Sequence, residues 1–155
     1  MKTIIWPTLL VLMFLFGIVV VSNTQAEDEE VTHSLPLEPV EADMHEFMEY
    51  AFEPFFHELK DSMANPPANK KAWVPVKANA LVLAEAGNLL MLRGPEEDKA
   101  EWNKIAKELR DQGKLLYAAA KKRDYESSRK QYEAFVTKCN ACHEKFADGE
   151  HMQKP

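Results

Sequence analysis

Residues 124–146 read DYESSRKQYEAFVTKCNACHEKF, and two patterns overlap in them. Tyr125, Ser128, Tyr132, Phe135, Cys139, Cys142 and Phe146 fall alternately three and four apart, which is the spacing of one helix face turned inward. Asp124 stands just before the seam and is a good N-cap residue. Within the same seam, Cys139-Asn140-Ala141-Cys142-His143 fits the C-x-x-C-H pattern of covalent c-type haem attachment. Two thiols one helical turn apart reach the two vinyl groups of one porphyrin, and the adjacent imidazole then lies under the iron. The expected cofactors are one covalent haem c and its iron, held by Cys139 and Cys142, with His143 as proximal ligand.

Working outward, the chain from Glu41 to Ala147 reads as helix throughout, because apolar residues recur three and four apart and no stretch alternates with period two. A first helix is expected over about Glu41–Met63, with Met44, Met48, Ala51, Phe52, Phe55, Leu59 and Met63 on one side and a kink at Pro54. Asn65-Pro66-Pro67 stops it. A second runs from Trp73 or Pro75 to Leu92 and buries Val76, Ala80, Leu83, Ala84, Gly87, Leu90 and Met91 before Gly94-Pro95. A third runs from Pro95 to about Lys121, with Glu96, Glu97 and Asp98 at the positive end of its dipole and Trp102, Ile105, Leu109 and Leu116 at helical spacing. Four helices of about 20 residues with short connections predict an all-α, antiparallel up-down-up-down four-helix bundle with its haem site near the C-terminus.

The ends of the chain differ in character. Lys2 precedes an uncharged, mostly apolar run from Ile4 to Val21, and Ser22-Asn23-Thr24-Gln25-Ala26 suits signal peptidase. Residues 1–26 are therefore expected to be an export signal cleaved after Ala26, with an uncleaved membrane anchor as the alternative. Either way the remainder is expected outside the cytoplasm, in the periplasm or its equivalent. Residues 27–40 are expected to be an acidic, flexible leader and residues 148–155 a flexible tail. The net charge of −6 is unevenly spread: twelve acidic residues face Lys60 alone between Glu27 and Asn65, while the remainder is mildly basic. No basic stripe with interleaved aromatics stands out, which argues against nucleic acid as a partner and leaves a charged protein partner open.

Other chemistries account for the motif less well. A structural zinc site wants four ligands, and the chain has two cysteines. A thioredoxin-like pair sits at a helix N-terminus in a βαβ setting, whereas this pair is near a helix C-terminus in an all-helical chain. A disulfide suits an exported protein but strains two cysteines three apart on a helix and leaves His143 without a purpose.

Because only twelve residues follow His143, the chain resembles the class II cytochromes c, the cytochrome c′ and cytochrome c556 group, over about Glu41 to Phe146 in layout and over Cys139 to Phe146 in sequence. An up-down bundle sets the start of its first helix beside the end of its fourth, so Met44, His45 and Met48 are the candidates for the far side of the iron. Met48 continues the inward register and a thioether there raises the potential, while His45 would give two imidazole ligands. The resemblance implies either a methionine ligand on helix one, as in cytochrome c556, or an open iron binding nitric oxide or carbon monoxide, as in cytochrome c′. It also implies that two copies of the chain can pair. His57, His33 and His151 are weaker candidates. Lys138, Lys145 and Lys121-Lys122-Arg123 are candidate docking charges for a redox partner protein. No acid-base constellation marks an enzyme. The expected function is one-electron transfer, with gas binding as the alternative.

Overall fold

The computed structural model describes residues 37–155. The export segment expected over residues 1–26, most of the acidic leader, and His33 lie outside the described residues. Every regular element among the described residues is helical, and four helical columns pack against one another.

The first column begins later than Glu41 because Asp43 is the cap: its carboxylate accepts the Glu46 N–H at 2.9 Å, and α1 spans Met44–Phe47. A π-helical turn, Met48–Phe52, follows, in which the Glu53 N–H reaches back five residues to Met48 O. Next comes α2, Glu53–Met63, with Pro54 in its first turn. The wider turn is the form that the expected kink takes. An α-helical register would press the Pro54 ring against the carbonyl of Tyr50, whereas starting a new α-helical turn at Glu53 puts proline where its missing donor matters least.

The extra residue in that turn shifts the inward face. Phe47, Phe52, Phe56, Leu59 and Met63 are buried, while Ala51 and Phe55, expected inside, are only half-buried. The five-residue step from Phe47 to Phe52 is the sequence trace of the π turn, and the two rings meet edge to face at 5.8 Å.

The second column is α3, Trp73–Leu90, followed by a 3-10 turn over Met91–Arg93. The third is α4, Lys99–Lys122, which begins four residues after Pro95, the expected start. Trp102 bridges the two, its Nε1–H donating to the carbonyl of Leu90 at 2.7 Å. The crossing of α3 and α4 is tight: a Cβ on Gly113 would lie 2.9 Å from the Ala84 backbone. At the end of α4, Arg123 adopts φ 59° and releases Ala119 and Ala120 carbonyls to cap bonds. Asp124 then caps α5, Tyr125–Phe146, by accepting the Ser127 N–H at 3.1 Å.

Contacts between ends fix which parts meet. Met63 O, at the end of α2, accepts from Tyr125 Oη at 3.0 Å and Arg129 Nη1 at 3.3 Å, at the start of α5. Trp102 of α4 meets Phe146 of α5 with ring centroids 4.9 Å apart. The core runs between these ends through Leu59, Val76, Ala80, Leu83, Leu116, Ala120, Tyr132 and Phe135, all nearly or fully shielded from solvent. No helix among the described residues is long and apolar enough to cross a membrane.

Candidate functional site

Where the first turns of the first column meet the last turns of α5, the packing opens into a cavity of about 380 Å³. Its walls hold every candidate singled out in the sequence at this end: Cys139, Cys142 and His143 from α5, and Met44, His45 and Met48 from the start of the first column. Phe52, Leu90, Leu109 and Phe135 form its apolar floor. A pocket of this size and lining is in the range of cofactor sites, about 300–1,000 Å³.

The three α5 residues share one helix face because Cys139 and Cys142 are a turn apart and the helix ends only at Phe146. Both cysteines are free and half-buried. Burial pushes the Cys139 thiol up to about 12, with Cys142 beside it adding to the rise, and burial pushes Cys142 up to about 11. At neutral pH both are thiols, which disfavours a thiolate nucleophile or an exchanging dithiol. His143 is held below its ordinary imidazole value by burial. That burial outweighs a hydrogen bond between the ring and the His151 backbone, which acts the other way, so the imidazole is neutral.

Across the cavity the three distal candidates differ. Met44 and Met48 are half-buried against the core, and Met48 opens the π turn, a helix irregularity common at functional sites. His45 is largely exposed, with 74% of its side chain accessible, and its Nε2 lies 3.8 Å from Glu49. His57, expected beyond this end, also borders the cavity, as does His151 from the C-terminal residues. Neither was singled out by spacing: His57 lies one turn into α2, after the π turn, and His151 arrives by a chain reversal after Asp148.

The basic residues are not gathered. Lys138 is paired with Glu108 of α4 at 2.8 Å, and that hydrogen bond and charge hold the Glu108 carboxyl below its usual range. Lys121-Lys122-Arg123 lies at the far end of α5, about 30 Å away by helical rise. Lys145 alone stands exposed beside the motif.

Among the described residues, no group of three or more His, Cys, Asp or Glu side chains converges as it would to hold a bare metal ion. The residues do fit a covalently attached porphyrin: two protonated thiols a turn apart, a neutral imidazole, and an apolar cavity that they and two thioethers line. No family model, curated protein or solved structure matches this chain.

Proposed function

We propose that the chain is an exported mono-haem c-type cytochrome that carries one electron, similar to the class II cytochromes c. In this reading it is an antiparallel up-down-up-down four-helix bundle whose haem c is joined through Cys139 and Cys142, with His143 as proximal iron ligand. One observation carries the proposal: the cavity that Cys139, Cys142 and His143 line from α5 is also lined by Met44, His45 and Met48 from the start of the first column. A porphyrin would carry its iron already coordinated, so the chain would need to supply few ligands of its own.

When bound, the haem iron supplies one-electron exchange between its ferric and ferrous forms. The chain's residues do the rest. Cys139 and Cys142 anchor two porphyrin edges, and His143 offers a neutral nitrogen. Phe52, Leu90, Leu109 and Phe135 line the same cavity and would keep water from a haem held there, which would favour the less charged ferrous state. Met48 is the preferred distal ligand, because it is half-buried on the cavity wall whereas His45 is exposed beside Glu49. A thioether opposite imidazole raises the reduction potential and suits a carrier.

A second reading is kept by a specific observation. Met44 and Met48 both pack against the core, as methionines filling space do, and this suits an open iron that binds nitric oxide or carbon monoxide. The absorption spectrum of the reduced protein with and without carbon monoxide separates the two. A low-spin spectrum unmoved by the gas supports the carrier, and Met48→Ala then turns it high-spin. A spectrum that shifts at once in the unaltered protein supports the gas binder. Absence of covalently bound haem after coexpression with a maturation system overturns both. Export follows from residues 1–26, and the N-terminal sequence of the mature protein tests cleavage after Ala26.

A further inference from the structure

The residues beyond α5 fold back on the motif. Ala147 and Gly149 both donate their N–H to the carbonyl of His143, at 2.9 and 3.1 Å. Asp148, Gly149 and His151 make the reversal with φ of 49°, 75° and 59°. Two of these are not glycine, and each left-handed residue costs on the order of 1 kcal/mol, so such a path persists only where other bonds hold it. Those bonds are present. The Gln153 N–H donates to Asn140 Oδ1 at 2.7 Å, and the Gln153 carbonyl accepts from Asn140 Nδ2 at 2.9 Å. From α2, Lys60 Nζ donates to Lys154 O at 2.7 Å.

A segment tied to His143, to Asn140 and to α2 is not a fraying end. Its inner residues, His151 and Gln153, line the cavity, and the His151 ring lies 6.2 Å from that of His45 across the rim. Asn140 itself is one of the two residues between the cysteines, where attachment makes no demand on side-chain type. Both ends of its amide are engaged by the backbone of one strap residue.

We propose that residues 147–155 form a strap that Asn140 ties to the attachment motif, and that this strap walls the cavity beside His143 and limits the water reaching the iron and its proximal imidazole. The inference rests on the haem reading above. Asn140 is then a positioning residue: it is not among the residues that line the cavity, and acts by holding the wall. Water admitted at that wall stabilises the more charged ferric state, so loosening the strap lowers the reduction potential.

The test compares the full-length holoprotein with Asn140→Ala and Asn140→Asp, by amide hydrogen exchange and by redox titration. Asn140→Ala is expected to speed exchange at the Gln153 amide about tenfold or more, from the loss of two hydrogen bonds, while the Leu59 amide in the core is unaffected. Its midpoint potential is expected to fall. Asn140→Asp keeps the acceptor for the Gln153 N–H but not the donor, so its exchange at Gln153 is expected to fall between. Its added negative charge lowers the potential on its own account, so the potential is compared for Asn140→Ala alone. Unchanged exchange at Gln153 in Asn140→Ala overturns the strap. Faster exchange with an unmoved potential and spectrum overturns its effect on the iron. A chain without covalent haem overturns the carrier reading and the strap's effect on the iron, while the exchange comparison still decides whether Asn140 holds the strap.

Discussion

The two ends of α5 are built from the same alternating spacing and reach opposite outcomes. At its start, Ser128 and Tyr132 are fully shielded from solvent, Phe56 stacks on the Tyr132 ring, and Met63 O is bonded by both Tyr125 and Arg129. At its finish, Cys139, Cys142, His143 and Phe146 are only half-buried and border a cavity. The difference lies in what faces the seam. Against Tyr132 stands a regular α2, whose apolar residues recur on one face. Against Cys139 and Cys142 stands the short α1 with its π turn, where methionines and a histidine replace the aromatic and branched side chains that would close the gap. Packing is dense at one end and open at the other, which is what the proposed function asks of a site that would hold a group the chain does not itself supply.

Truncation at each end gives the largest contrast. Leu59→Ala and Leu116→Ala remove fully shielded side chains and are each expected to lower unfolding free energy by about 2–5 kcal/mol. Met48→Ala, in a chain whose cysteines are both changed to serine so that nothing is attached, is expected to lower it by less than about 2 kcal/mol, because Met48 is half-buried beside open space. Urea denaturation of the three variants measures this. An equal loss at Met48 and Leu59 would break the contrast. Gly113→Ala comes next, since its Cβ would sit 2.9 Å from the Ala84 backbone where α3 and α4 cross. The crowding is expected to cost about 1–3 kcal/mol, partly offset by about 1 kcal/mol of helix propensity. A thermal midpoint above that of the parent chain would show that the crossing can yield.

Much of the packed end was legible in the sequence because a regular helix makes its own pattern. The seam of α5 and the buried positions Val76, Ala80, Leu83 and Leu90 follow from spacing alone. The first column was harder. Pro54 announces a disturbance, but whether it bends the helix or widens a turn depends on what the neighbouring helix tolerates. The wide turn therefore put Phe47 and Phe56 inside at positions that a straight 3.6-residue period assigns elsewhere. At the site, the six residues nearest the cavity carried chemical signals of type and spacing. Asn140 and Gln153 did not, and His151 carried only its residue type, since their roles arise from a chain reversal with no periodicity to read. Gly149 after Asp148 was the one local sign of a turn.

The smallest expected effect probes the packed end most sharply. Tyr132 is fully shielded, and its hydroxyl has no hydrogen-bond partner among the described residues, whereas its ring stacks on Phe56 and lies 5.3 Å from the Arg129 guanidinium. Tyr132→Phe keeps both ring contacts and removes only the desolvated hydroxyl, so it is expected to stabilise the chain by about 1 kcal/mol at pH 7. Burial pushes the phenol up to about 12, against the opposing charge of Arg129. A raised folded-state value means that the stability contributed by the neutral phenol is complete below pH 10 and is lost as pH climbs from 10 towards 12. That part of the alkaline loss is expected to be missing from Tyr132→Phe, so urea midpoints for the two proteins diverge further above pH 10. Destabilisation at pH 7 would instead mean that the hydroxyl is satisfied by ordered water. The packed end would then be wet, and the contrast with the cavity end would be one of shape alone.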